Sequence, residues 1–380
     1  MKLIKRNSCA VTLIQDLEPL YIFKQFPVFM GCSKNSESDD LHADMVWMIS
    51  KSSGLIQLGE LLPLDVLYLE SHGAGCVGEL WNKHHKAFAS FLHRFRPSSV
   101  FEIGGHHGIL AKEYCVLNDI PWTILEPNPA PVAGTNARFI KGFFNNQFYF
   151  DEPYDAVVHS HVFEHVYNPD EFIGHLSYLM DEGKYLIFAI PNLQAHLEHK
   201  FTYFIGFEHT VFLIEPYVEY LLSKHGFRLV QKEYFMDDVS IFYAAVRDKS
   251  IKPKELQKGL YEKNKKLYQD YLIYHENLVS ELNNKIKMHS TKQNIYLFGA
   301  HIFAQYLIAF GLDTARINCI LDNDRNKHGK RLYGTSLLVN SPKILKDNNS
   351  PIVILRSGVF NEEIKKDILE NINPDVTFWE

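Results

Sequence analysis

The chain has 380 residues, 46% of them hydrophobic, which is enough for two or three domains with substantial cores. A net charge of −6 and the lack of any long Lys/Arg block exclude a surface built to neutralise many phosphates, so no nucleic-acid partner is expected. No apolar run reaches the roughly 18 residues of a membrane span, and the N-terminal MKLIKRNSCAVTLIQDL lacks the pattern of a cleaved leader; a cytoplasmic protein without membrane insertion is expected.

Residues 1–85 mix short strand-like runs with polar turns such as SKNSESDDLHAD, and they read as a small irregular domain leading into the helical stretch ELWNKHHKAFASFLHRF. Five scattered cysteines (Cys9, Cys32, Cys76, Cys115, Cys319) predict free thiols and no disulfide framework. Residues 86–248 form the next expected domain. There VFEIG, WTILE, RFIKGFF, YDAVVHS and YLIFAIP alternate with helical segments through LAKEYCVL and DEFIGHLSYLM. Such alternation predicts an α/β fold, a parallel sheet with helices on both faces. A helix at EPYVEYLLSKHG and two closely spaced strands, FRLVQKEYF and SIFYAAVR, finish the segment in the manner of the methyltransferase variant of the doubly wound fold. Residues 249–292, rich in Lys, Glu and Asn with leucines at helical spacing, read as a connecting helix. Residues 293–380 supply NIYLFGAH, INCILDND and SPIVILRS as strands of a second Rossmann-like unit, with only Gly299 at its first turn.

The sharpest local signal is VFEIGGHHG at 100–108. Gly104, Gly105 and Gly108 permit a tight strand-to-helix turn and a close backbone approach to a nucleotide. WTILEP then ends a second strand in Glu126 and Pro127, and an acid there can accept both hydroxyls of a ribose. Glu102, at the end of the first strand, disfavours a pyrophosphate, whereas the cationic sulfonium and amino group of S-adenosylmethionine tolerate a carboxylate.

The Glu102-Ile103-Gly104 turn, Gly108, Glu126-Pro127, HSHVFEHVYNP and the Phe207-Glu208-His209 triplet occur in the order found in a known family. Over nearly its whole length the chain resembles the three-domain S-adenosylmethionine-dependent sugar methyltransferases, best known for C-methylating nucleotide-linked keto-deoxysugars. GAHIFAQYL and LDNDRNKHGKRLYGTSLLV are similar to that family's last domain. The resemblance implies a class I methyltransferase domain between an N-terminal zinc ribbon and a C-terminal Rossmann-like domain, with S-adenosyl-L-methionine as cofactor and a sugar or sugar nucleotide as substrate. It implies donor contacts from Glu102, Gly104, Gly105, Gly108, Glu126, Pro127, Ser160 and His161. Of the ribbon's two CxxC pairs, GLIQL survives after the second, but Thr12, Ser50 and Ser53 replace three cysteines and only Cys9 remains. Hydroxyls are poor zinc ligands, so a zinc-free relic held by packing is expected.

His209 matches the histidine of the family's Glu-His pair and is assigned as general base, with Glu208 orienting it or binding a sugar hydroxyl. His165 is assigned to the substrate cleft. The tyrosine usually found two residues before the pair is Gly206 here, and a second expected aromatic is replaced by His72, the substrate-side candidate in LYLESHGAG. Missing phenols weaken C-methylation of a ketone, so transfer to a sugar hydroxyl is favoured and C-methylation is the alternative. The H-x-x-E-H spacing from His161 to His165 also matches a metallopeptidase helix, but His161 falls at the tail of a strand, and no metal ligand set is assigned. A catalytically idle binding or scaffolding protein and an NAD-dependent oxidoreductase are the competing functions; Glu102 and His106 oppose the second.

Overall fold

The computed structural model describes residues 2–68, 78–202, 205–289 and 293–380. The chain divides into two compact units, one of residues 1–20, 47–196 and 207–265, the other of residues 21–46, 197–206 and 266–380.

The first unit is built on a seven-stranded sheet. Its strands are β1 (Val100–Ile103), β2 (Trp122–Glu126), β3 (Arg138–Lys141), β4 (Ala156–Ser160), β5 (Tyr185–Pro191), β6 (Phe227–Phe235) and β7 (Ser240–Arg247). They lie in the order β6-β7-β5-β4-β1-β2-β3. The five strands from β5 to β3 are parallel, and β7 inserts antiparallel between β5 and β6. This is the Rossmann-like sheet of class I methyltransferases, with the terminal strand pair that the sequence predicts. Near-continuous apolar runs make these strands because helices cover both faces. On one face α1 (Glu79–His93) and α2 (Ile109–Cys115) bury Phe88, Phe91, Leu110 and Tyr114 against Val100, Ile124, Val158 and Phe242. On the other, α3 (Pro169–Leu179) brings Phe172 onto His159, whose ring stacks on Phe188 at 4.8 Å. Burial in that aromatic nest pushes the His159 pKa down to about 3, so this histidine is a neutral core residue.

The four ribbon positions come together within the first unit. Cys9 Sγ lies 3.2 Å from Ser53 Oγ, Thr12 N donates to Cys9 Sγ at 3.4 Å, and Ser53 N donates to Ser50 Oγ at 3.3 Å. Ser50 Oγ in turn donates to Asp16 at 2.8 Å. Hydrogen bonds among Cys9, Thr12, Ser50 and Ser53, as well as packing, therefore hold this segment. Ile56–Leu58 follows, pairing antiparallel with Trp47, Met48 and Ile49. Helix α4 (Glu215–Lys224) places Tyr217 so that its hydroxyl donates to the Ser53 carbonyl at 2.9 Å. The helix expected between 249 and 292 runs over Leu260–Met288 (α5).

The second unit has a five-stranded parallel sheet of β8 (Ile295–Phe298), β9 (Ile317–Leu321), β10 (Val339–Asn340), β11 (Ile352–Leu355) and β12 (Thr377–Trp379), in the order β10-β9-β8-β11-β12. Its glycine turn is closed internally, since Asp322 Oδ2 accepts from Ala300 N at 2.9 Å and pairs with Lys327 at 2.9 Å. Arg331 forks onto both carboxylate oxygens of Asp40. Among the described residues no helix is long and apolar enough to cross a membrane.

Candidate active site

The strand order reverses between β1 and β4, the place where open α/β sheets bind ligands beyond the carboxyl ends of their strands. A cavity of about 390 Å³ lies there. The turn after β1 shapes one wall. Gly104 and Gly108 have φ of +76° and +67°, and a Cβ would stand 2.5 Å from Val162 Cγ2 at the first and 2.6 Å from Thr135 Cγ2 at the second. No side chain larger than hydrogen fits either place without displacement.

Glu126 ends β2 at the rim of the same turn. Its Oε2 accepts from His106 N at 3.1 Å and its Oε1 from Asn128 N at 2.9 Å. Burial pushes this carboxyl up, but hydrogen bonding from His106 and Asn128 outweighs burial and holds it below the usual carboxylate range. It is therefore ionised at neutral pH, with lone pairs left for a ligand. Ile103, Leu125, Phe143 and Phe144 give the cavity apolar walls beside it.

The opposite wall comes from the segment after β4 and from residues 207–211. His161 has φ of +54°, and Phe163–His165 is one turn of 3-10 helix, so His161 and His165 do not share a continuous helix. Backbone bonds stitch the two segments together: Thr210 N donates to the Glu164 carbonyl at 3.0 Å, and Thr210 Oγ1 to the Val166 carbonyl at 2.9 Å. Arg6 reinforces the seam with bonds to the carbonyls of Leu58 at 3.1 Å, Thr210 at 2.9 Å and Tyr167 at 2.5 Å. Burial lowers its pKa to about 10, which still leaves it fully charged at neutral pH. The result sets the rings of His165 and His209 edge to face, 4.9 Å apart.

Gly104, Glu126, Pro127, His161, His165 and Glu208 thus line one cavity. His209 stands behind His165, while Gly105 and Gly108 lie in the turn after β1 and Ser160 ends β4. Glu102 lies beneath the turn, 3% exposed, where its Oε2 accepts from Trp122 Nε1 at 2.7 Å. His72 lies outside the described residues. Two phenols to which the sequence assigned no role, Tyr68 and Tyr167, also line the cavity; Tyr167 donates its hydroxyl proton to the Leu62 carbonyl at 2.6 Å.

Sequence reasoning passed over Glu164. It is fully buried beside His161 Nδ1 (3.3 Å) and His165 Nε2 (3.7 Å). Burial pushes its carboxyl up, and the imidazoles of His161, His165 and His209 more than reverse this, so the group is held below the usual range. The signal was present in H-x-x-E-H, but spacing alone does not reveal which of those side chains converge.

Residues 80–232 match the family model of a methyltransferase domain. No curated protein matches the chain. Among solved structures, similarity is found to an O-methyltransferase family protein from Burkholderia thailandensis, at 12% identity over 45% of this chain and 57% of that one, with a TM-score of 0.37. The N-methyltransferase NodS from Bradyrhizobium japonicum is 13% identical over 44% and 97% of the two chains, with a TM-score of 0.35. Magnesium protoporphyrin IX methyltransferase from Synechocystis is 17% identical over 47% and 91%, with a TM-score of 0.36. The family match and the sheet order together make this segment a methyltransferase domain with the class I, Rossmann-like sheet.

Proposed function

We propose that the chain transfers a methyl group from S-adenosylmethionine to a hydroxyl of a sugar, carried on a nucleotide, with His209 as general base. The observation that supports this most is a cavity with two chemically different ends, ionised Glu126 at one and, at the other, His165 backed by Glu164 and His209. The cofactor supplies an electrophilic methyl carbon when bound. The residues fit it: the Gly104 turn leaves room for close backbone approach, Glu126 suits two ribose hydroxyls, and the volume falls in the usual range for cofactor sites, roughly 300–1,000 Å³.

On the acceptor side Glu208 offers a hydrogen-bond partner to a sugar hydroxyl. His209 receives the proton released as the acceptor oxygen is methylated, and the buried Glu164 carboxylate stabilises the imidazolium. Because the Tyr167 hydroxyl is committed to the Leu62 carbonyl, it does not serve a ketone oxygen, which favours a hydroxyl acceptor over an enolising carbon.

Calorimetry with S-adenosylmethionine tests the donor end. Glu126→Ala, which removes charge-assisted bonds, should weaken binding by about 2 kcal/mol, some 30-fold. Incubation with nucleotide-linked deoxysugars and heptoses, read by mass spectrometry and NMR, should show one added methyl on oxygen; a methyl on carbon would overturn the hydroxyl assignment. His209→Ala should lower kcat by about 10²- to 10⁴-fold with cofactor affinity unchanged, and undiminished turnover would refute the base.

A further inference from the structure

Glu164 is the anomaly of this site. It is completely buried, yet neither of its carboxylate oxygens accepts a well-formed hydrogen bond within the described residues. A buried carboxylate faced by imidazoles but bonded to none of them with good geometry is unfavourable, and such a group persists when a cation joins it. One ligand atom each from Glu164, His165 and His209 lies within 4.8 Å of the others. His161 faces the same carboxylate, with its Nδ1 3.3 Å from Glu164 Oε1, and its Nε2 is held 3.0 Å from Ser240 Oγ.

We infer that Glu164, His165 and His209 form a binding site for a divalent first-row transition-metal cation. Two imidazoles and one carboxylate are the donor set that suits Zn²⁺, Mn²⁺ or Fe²⁺, and three protein ligands leave positions open. His165 lines the cavity, so the open positions are reachable from it. Ligand atoms held at about 2.0–2.2 Å from one ion stand roughly 3–3.5 Å apart. Closing the cluster therefore needs side-chain shifts on the order of 1 Å. Rotation of the half-buried His165 and His209 rings supplies them, while the Thr210 N to Glu164 carbonyl bond keeps the two backbones in register. Burial of Glu164 fixes the third ligand in place, and the ion would supply the close cationic contact that its oxygens lack.

The catalytic consequence rests on the methyl-transfer reading. The imidazole lone pair that takes the acceptor's proton is also the one that binds the ion, so a chain with the site filled should not turn over.

The test uses the full chain, stripped by chelator and titrated with Co²⁺, whose visible absorption reports three or more protein ligands. One equivalent should bind, and Glu164→Gln should weaken binding at least 100-fold and His165→Ala at least 10-fold. Cys9→Ala should leave the bands unchanged, which separates this site from the ribbon relic. Absence of stoichiometric binding by the parent chain, or binding retained in Glu164→Gln, would overturn the inference. Turnover should fall at least 10-fold when Zn²⁺ fills the site and return with chelator. Full turnover with the ion bound would overturn His209 as base while leaving the metal site standing.

Discussion

Glu102 turns the donor domain into a pH-sensitive structure at its first strand. Burial raises its pKa from 4.5 to about 7, partly opposed by the hydrogen bond from Trp122 and aided by the charge on Glu126. The folded chain therefore keeps a proton that the unfolded chain has already released. The unfolded state binds fewer protons between pH 4.5 and pH 7, so stability falls as pH rises through that window and levels off above it. A displacement of this size, at 1.36 kcal/mol per pH unit, is worth about 3 kcal/mol. Glu102→Gln keeps an oxygen to accept from Trp122 Nε1 and removes the ionisation. Urea unfolding of both proteins at pH 5 and pH 8 should show the variant gaining about 3 kcal/mol relative to the parent chain at the higher pH. Glu126→Gln in the parent background should shrink the effect, since it deletes a charge that raises Glu102. Parallel pH profiles for the parent and Glu102→Gln would refute the argument.

Two further outcomes follow from the geometry. Gly108→Ala combines positive φ with a Cβ 2.6 Å from Thr135 Cγ2, and it should cost about 1–3 kcal/mol of stability in thermal melts, with Thr135→Ser recovering only the steric part. Arg6→Gln removes donors from three carbonyls and should cost about 2–4 kcal/mol, with kcat reduced but cofactor affinity unchanged, because the Glu126 end is untouched. Arg6→Lys should not restore it, since one ammonium cannot reproduce the planar fork.

The sheet was legible because strands such as AVVHS and YLIFAIP, covered by helices on both faces, are written as unbroken apolar runs. The donor turn was legible for a similar reason: only glycine tolerates the crowding at Gly104 and Gly108, so the steric demand is printed in the residue type. Glu102 shows the limit. Its residue type marks it as a ligand candidate, whereas strand alternation places it on the same face as Val100, toward α1, α2 and Trp122. The convergence of Glu164, His165 and His209 has no local signature. It depends on bonds between positions as far apart as Arg6 and Thr210, which periodicity does not encode. The same holds for the phenols of Tyr68 and Tyr167: they fall within LYLESHGAG and HSHVFEHVYNP, but neither run reveals that both line one cavity.

The methyltransferase unit is threaded from three separated stretches of chain, 1–20, 47–196 and 207–265. It is consequently not a cassette. A single cut, in the laboratory or by recombination in a genome, frees no intact copy of it. A fragment limited to the matched residues 80–232 would leave behind Arg6 and the Ile56–Leu58 strand that clamp the histidine-bearing loops. Exchange of acceptor specificity between relatives by swapping contiguous segments should therefore fail here, and specificity is better altered by point substitution around the cavity.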